Sequence, residues 1–331
     1  MKSILFICPY FGTLPKQHME LWLQSCSRNP DIDWLVLTDD RTVYDYPENV
    51  RVKYISFQKV REKFQEKFEF SISLETPYKL CDFKPTYGYV FSEYLDSYDF
   101  WGHCDMSDCI FGNLRKFLDE KLLNENDKIG FLGHMSLYRN REDVNQRFLL
   151  PMKSGVSLKQ ILGVRENRAF DELTPYSINT IYEEYQFPSA RIDEMYVDVS
   201  PMRYAFQASV YDKFYSQSYQ KKAPMIFMWR NGKLFEYRIA NGKAQKREIG
   251  YVHFQKREMK KTFAGVTESY YIVPNQFISR RKTPDIREIE YFSRDRLYPV
   301  FFKLKWEAVK YHVKKVKNKV RKGENRIEKN M

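Results

Sequence analysis

The residues best suited to do chemistry in this chain lie between Tyr98 and Leu114, in the run Y-D-F-W-G-H-C-D-M-S-D-C-I-F-G-N-L. An aromatic, apolar stretch ends in two carboxylates, Asp105 and Asp108, and turns apolar again before Gly112. A strand that stays buried up to Cys104 and then presents two acids at its tip suits a divalent cation. Hard cations such as Mg²⁺ or Mn²⁺ take oxygen ligands and commonly share one or two carboxylates with the phosphates of a substrate. The plainer alternative is a solvated turn whose acids serve only polarity. Two residues, Met106 and Ser107, separate the acids, so a continuing strand would place them on opposite faces. A turn or bulge would let both face one ion. The spacing leaves open which acid is the direct ligand, or whether Ser107 and water replace one.

The elements that must position this stretch are those of an α/β protein. Ser3 to Cys8 is a continuous apolar run, as expected of a central parallel strand buried on both faces. Pro9-Tyr10-Phe11-Gly12 breaks it, and the loop leaving such a strand is where nucleotides bind in open α/β sheets. His18 to Cys26 has helical spacing, Ile32 to Thr38 and Val50 to Ile55 read as strands, and Lys59 to Phe68 as a charged helix. This β-α-β-α alternation predicts a mixed, mainly parallel sheet flanked by helices. Asp39 and Asp40 close the second strand, where they would accept hydrogen bonds from a base or ribose, or cap a turn. Lys79 and Lys84 bracket a Pro-containing turn leading into a helix through Leu95, a place to meet phosphate together with free N–H groups. A helix over Asn113 to Leu123 and a strand over Ile129 to Leu132 follow. From Met135 to Ser200 the pattern is irregular. Met225 to Arg238, with Asn231-Gly232 and then Asn241-Gly242, predicts β-hairpins, since Asn-Gly tolerates the positive φ of a two-residue turn. Gly250 to Phe254 is a further strand running into Gln255-Lys256-Arg257.

The chain has 331 residues, 43% hydrophobic and 30% charged, enough to bury a sizeable core. The formal net charge of +12 favours an anionic partner: a nucleotide diphosphate, a nucleic acid or an acidic membrane face. No recognition-helix, zinc-finger or RNA-binding signature is present, so nucleic acid is not the expected partner. The five cysteines are scattered and include no C-x-x-C pair, which reads as reduced thiols of a cytosolic protein. No stretch approaches the roughly 20 apolar residues of a membrane span, and the run at the start is too short for a signal-peptide core.

The order strand–C-P-Y-F-G, strand–T-D-D, P-Y-K-L-C-D-F-K-P and F-W-G-H-C-D-M-S-D-C-I-F-G resembles bacterial glycosyltransferases linked to capsule and lipopolysaccharide synthesis, over most of residues 1–260. The resemblance implies a GT-A-like fold over residues 1–300, a nucleotide-sugar donor (a UDP-sugar foremost), a D-x-D-type motif and Mn²⁺ or Mg²⁺. This chain departs from strict D-x-D by one residue. By the same resemblance a C-terminal histidine completes the metal shell, and H-F-Q-K-R makes it His253, with Lys256 and Arg257 beside it for the diphosphate. A lone histidine in an apolar strand has a structural alternative. Lys79 and Lys84 would join those cations, and Tyr10, Phe11, Gly12, Asp39 and Asp40 would hold the nucleoside. The region after Met135 would face the acceptor, where Asp171 or Glu172 could take the proton of the acceptor hydroxyl or simply cap a helix.

The tail, 301–331, is different. Phe302, Trp306, Val309, Val313, Val316 and Val320 recur at helical spacing among many lysines. Such a basic amphipathic helix can lie on an anionic cytoplasmic leaflet, where lipid-linked acceptors would be found. Two other classes compete with a transferase. A non-catalytic scaffold of the same fold would bind a nucleotide, membrane or protein partner. A phosphotransferase would share the metal and cations, but the chain lacks a G-x-x-x-x-G-K-[ST] loop.

Overall fold

The computed structural model describes residues 1–16, 18–106, 108–212, 217–295, 299, 301–310 and 313. In chain order its strands begin with β1 (Ile4–Tyr10), β2 (Ile32–Thr38), β3 (Val50–Tyr54), β4 (Phe100–Cys104), β5 (Cys109–Phe111), β6 (Lys128–Leu132), β7 (Met135–Arg139) and β8 (Ser189–Ala190). They continue with β9 (Tyr196–Val199), β10 (Ala208–Tyr211), β11 (Gln217–Tyr219), β12 (Met225–Arg230), β13 (Lys233–Ala240), β14 (Lys243–Ile249) and β15 (Tyr251–His253). β16 (Lys260–Lys261), β17 (Ser269–Val273) and β18 (Gln276–Ser279) complete the set.

The first sheet has the order β3-β2-β1-β4-β7-β6-β8. Its β3, β2, β1 and β4 run parallel, β4, β7 and β6 alternate, and β8 is parallel to β6. The expected mixed, mainly parallel sheet is therefore present. β1 is an interior strand, between β2 and β4, and its side chains are apolar on both faces. Ile4, Phe6 and Cys8 enter one buried cluster and Leu5 and Ile7 the other, the two-residue period of a strand. Helix α1 (Met19–Ser27) covers the first face, and helix α2 (Phe57–Gln65) covers the second through Val60 and Phe64.

Two further sheets complete the fold. The second has the order β11-β10-β9-β15-β5, and the third β14-β13-β12-β17-β18-β16. The third contains the predicted hairpins. Asn231 and Gly232 have φ of 48° and 79°, and Asn241 and Gly242 have 52° and 70°, the positive values such two-residue turns require.

Several expected helices are shorter than the pattern suggested. Pro77–Thr86 is 3-10 helix with Pro85 inside it, and only Tyr87–Val90 continues as α-helix. Asn113 to Leu123 is not one helix: Leu114–Lys116 is a 3-10 turn, and the chain restarts at Asp119, which caps Glu120–Glu125. Residues 301–310 are helical. The remaining tail positions named above, Val316 and Val320, lie outside the described residues, as does Ser107.

The junction of the first two sheets positions the site. β4 pairs with β1 and β7 in the first sheet, whereas β5, four residues later, pairs with β15 in the second. The chain changes sheets across Asp105–Asp108, so the acids lie on a corner and not along one strand. Register then fixes their neighbours: His253 stands opposite Cys109 on one side of β15 and opposite Asp198 on the other.

Packing behind β4 is tight at Gly88. A Cβ there would come within 2.2–2.6 Å of the Trp101 indole, which is fully buried and stacked on Tyr138 at 4.4 Å. Overpacking of this kind costs about 1–3 kcal/mol. Gly88→Ala is therefore expected to lower the unfolding free energy by that amount, read as a lower urea midpoint at unchanged slope, and an unchanged midpoint would show that Trp101 yields freely.

Candidate functional site

A cleft of about 690 Å³ opens at the sheet junction. Among the described residues six carboxylates line it, Asp105, Asp108, Asp171, Glu172, Asp198 and Glu307, against two lysines, Lys84 and Lys256, with His134 and His253. In a protein of net charge +12 the cleft is thus locally acidic. Carboxylates sharing a low-dielectric space cannot all stay ionised without cations or protons to balance them.

Lys84 supplies one such cation. It is carried by the 3-10 helix Pro77–Thr86, and its Nζ lies 2.7 Å from Asp105 Oδ1, 2.7 Å from the Gly133 carbonyl and 3.5 Å from Asp171 Oδ2. Burial works against the ammonium, but Asp105 and Asp171 together outweigh it and hold its pKa well above the ordinary lysine value. The Asp105 backbone N–H donates to the His134 carbonyl at 2.9 Å, tying the acid corner to the β6–β7 turn.

Asp171 and Glu172 occupy the opposite wall. Burial raises the pKa of both; against Lys84, Asp105 and Asp82 raise Asp171 further, and Asp171 and Asp105 raise Glu172 further. Glu172 accepts a hydrogen bond from Gly133 N–H at 3.1 Å, while Asp171 Oδ1 is buried without a hydrogen-bond partner. Gly133 is required by proximity: a Cβ would lie 2.2 Å from Asp171 Oδ2 and 2.7 Å from Glu172 Oε1.

His253 closes the cleft between two acids. Its Nδ1 is 2.8 Å from Asp198 Oδ1, and its Nε2 is 3.6 Å from Asp105 Oδ2. Burial lowers the His253 pKa, and the two carboxylates more than reverse this, to about 10. The 3.6 Å separation is beyond a hydrogen bond. It matches neighbouring donors on one ion, which stand about 3.0–3.6 Å apart for metal–ligand bonds of about 2.1–2.2 Å. His134 packs against His253 at 4.4 Å between ring centres, the rings inclined by 36°. Its Nδ1 meets the Tyr251 hydroxyl at 2.9 Å, and its Nε2 is buried without a hydrogen-bond partner. Burial, with His253 adding to it, depresses the His134 pKa to about 3, so the ring is neutral. One nitrogen of each histidine and an Asp198 oxygen lie within 4.8 Å of one another. Carboxylate oxygens, neutral imidazole and an excess of negative charge are a donor set that fits Mn²⁺ or Mg²⁺.

The structure therefore brings Asp105, Asp108, Lys84, Asp171, Glu172, His253 and Lys256 into one cleft. Tyr10 to Gly12 and Asp39-Asp40 form an adjoining pair of loops bound to each other. Gly12 N–H donates to Asp39 at 2.8 Å, and Leu14 N–H to Asp40 at 2.7 Å. Phe11 packs on Phe57, and half-buried Tyr10 has its hydroxyl pKa raised by burial, then by Asp108 and Asp40. Both acids thus cap the loop, in line with the turn-cap alternative.

Two of the expected diphosphate cations are placed elsewhere. Lys79 is buried, 2.6 Å from Asp82 and bonded to the Glu166 and Ile161 carbonyls. Asp82 in turn accepts from the Arg168 and Phe170 N–H groups, so this pair fixes the loop that delivers Asp171. Arg257 is 2% exposed and donates to the Ser200, Arg203 and Tyr204 carbonyls and to Asn275. It staples the 200–205 loop, which lines the cleft through Pro201 and Met202. Both are corrected to scaffold roles, because a buried cation must satisfy its donors internally.

Sequence reasoning missed Asp198, Gln255 and His134. A carboxylate within the apolar alternation Y-V-D-V of β9 was the available signal for Asp198.

Fold and site together define a mixed α/β protein with an acidic, histidine-bearing cleft where two sheets meet. The chain belongs to the family of unknown function DUF6625, whose profile matches residues 6–281. No curated protein matches it. Among solved structures it is similar to the glycosyltransferase GlyE of Streptococcus pneumoniae TIGR4, at 13% identity over 59% of this chain and 46% of GlyE, with a TM-score of 0.32. It is also similar to an active-site mutant of LgtC, at 11% identity over 59% of this chain and 75% of LgtC, with a TM-score of 0.31. Its similarity to galactosyltransferase LgtC in complex with donor and acceptor sugar analogues is 14% identity over 59% and 76%, with a TM-score of 0.26. The chain thus spans about half the length of GlyE.

The raised pKa of Glu172 fixes a sign. A carboxyl whose folded pKa lies above its unfolded value of about 4.3 gives its full stability below that value and loses it as pH rises through the folded one. Glu172→Gln keeps an acceptor for Gly133 N–H and removes this loss. Thermal melts in EDTA should show the variant gaining Tm over wild type as pH rises from 5 to 9. Parallel curves would contradict the burial argument.

Proposed function

We propose that this chain is a metal-dependent glycosyltransferase of GT-A type, moving a sugar from a nucleotide-diphosphate sugar to a glycan or lipid-linked acceptor in cell-surface polysaccharide synthesis. Residues 1–300 would form the transferase unit, and a UDP-sugar is the expected donor. The observation that carries the reading is that Asp105, Asp108 and His253 line one cleft in which, among the described residues, carboxylates outnumber lysines. A diphosphate is repelled by such a cleft alone and complementary to it once a divalent cation is held there. The motif order from the first strand to the acid corner supports the same reading.

In this reading Asp105, Asp108 and His253 hold Mn²⁺ or Mg²⁺, which when bound supplies Lewis-acid stabilisation of charge on the leaving diphosphate. Lys84 keeps Asp105 ionised and aimed. Lys256 lines the cleft as the cation facing the phosphates. Tyr10, Phe11, Gly12, Asp39 and Asp40 flank the nucleoside. The Asp171–Glu172 pair takes the proton of the acceptor hydroxyl, a task to which a carboxylate of raised basicity is suited. Asp108→Ala is expected to lower Mn²⁺-dependent hydrolysis of UDP-sugars by at least about 100-fold, the scale of losing a catalytic charge contact. A soluble variant with undiminished turnover would refute the assignment. Nucleotide binding by wild type with no turnover on any donor would identify a non-catalytic scaffold instead.

The tail supports a membrane-facing version of this function. Phe302, Trp306, Val309 and Val313 are 49–61% exposed on one stripe, while Leu304, Glu307 and Ala308 of the same helix line the cleft. No helix among the described residues is long and apolar enough to cross a membrane. A helix lying on an anionic cytoplasmic leaflet would bring a lipid-linked acceptor to the cleft mouth. The double variant F302E/W306E should sediment with anionic vesicles several-fold less than wild type, whereas equal sedimentation would discard the membrane contact.

A further inference from the structure

His253 touches two carboxylates that differ in kind. The Asp105 side chain is 29% exposed at the cleft, and that of Asp198 is 2% exposed behind the ring. The contacts of Asp198 are all with protein donors: His253 Nδ1 at 2.8 Å, Gln255 Nε2 at 2.9 and 2.8 Å on its two oxygens, and the Tyr211 hydroxyl at 3.4 Å. Gln255 holds this grip from a strained backbone, with φ of +54° just past the end of β15. Such a conformation in a residue with a side chain persists where the surroundings over-determine it. Here the neighbouring Phe254 N–H is tied to the Asp108 carbonyl at 2.7 Å, and the Gln255 amide is tied to Asp198. The Gln255 backbone thus links the acid corner to the carboxylate behind the histidine.

We propose that Asp198, clamped by Gln255, is the positioning residue of His253, fixing the ring so that Nε2 faces Asp105 and offers its lone pair there once a metal displaces its proton. The chemistry follows from the two ring nitrogens. When Nδ1–H donates to Asp198, the other nitrogen is left as the acceptor, and a carboxylate behind a ligating histidine also raises its basicity. His134, packed against the same ring, limits its tilt. The inference rests on the metal reading given above. It competes with the alternative in which Asp198 is itself a ligand beside His134 and His253, against which both Asp198 oxygens already accept from Gln255 and one meets His253.

Calorimetric titration of Mn²⁺ into the full-length protein separates these cases. Asp198→Asn should weaken Mn²⁺ binding by about 10–100-fold, the usual cost of losing the partner behind a ligating histidine. His253→Ala should weaken it at least as much. The double variant should match His253→Ala to within about twofold, since Asp198 acts only through the ring. Gln255→Ala should weaken binding in the same direction and carries the test if Asp198→Asn does not fold. Unchanged affinity in Asp198→Asn or, failing that variant, in Gln255→Ala overturns the proposal. So does a double variant whose loss is the product of the two single losses, which would make Asp198 an independent ligand. Wild-type protein that takes up no Mn²⁺ refutes the metal reading itself, and this inference with it.

Discussion

Crowded carboxylates are the constraint around which this protein is arranged. Asp105, Asp171, Glu172 and Asp198 converge in one poorly solvated space, with the Lys84 ammonium bridging Asp105 and Asp171. The remaining negative charge is relieved by protons: burial pushes Asp171 and Glu172 towards their neutral forms, and His253 is held charged between two acids. A divalent cation beside Asp105 and His253 would relieve the same charge more directly. Among the described residues that line the cleft, carboxylates outnumber lysines despite the chain's net charge of +12, so on the proposed reading an anionic donor would meet this cleft through a metal.

Several scattered segments exist to hold that crowd in place. The corner Asp105–Asp108 is defined by β4 ending in one sheet and β5 beginning in another. The parallel register of β15 with β9 sets His253 against Asp198, and its antiparallel register with β5 sets it beside the acid corner. Two buried cations outside the cleft act at one remove. Lys79 with Asp82 fixes the loop leading to Asp171, and Arg257 gathers the carbonyls of the 200–205 loop. Each looks like a phosphate ligand in sequence, and each is held by acceptors of the protein itself: Lys79 by Asp82 and two main-chain carbonyls, Arg257 by Asn275 and the carbonyls of the 200–205 loop.

The parallel half of the fold was legible because its signals are local. Ile4–Tyr10 and Ile32–Thr38 are apolar runs that a central strand demands, and the two Asn-Gly turns have the positive φ their residue types predict. For the acid pair the sequence left open a turn between Asp105 and Asp108, and the chain does change sheets there. What sequence could not give was long-range pairing. Asp198 and His134 become neighbours of His253 only through register across strands far apart in the chain, and no local period encodes that. The break at Asp119 and the 3-10 winding of Pro77–Thr86 were hidden because capping and tertiary packing override propensity over such short stretches.

The central claim, that this acidic cleft accepts a diphosphate only through a divalent cation, is tested most directly by calorimetric titration of UDP into the full-length protein in Mn²⁺ and again in EDTA. The account predicts measurable binding with Mn²⁺ and a loss of at least about tenfold in affinity, or about 1.4 kcal/mol, in EDTA. Equal affinity in the two buffers would contradict it.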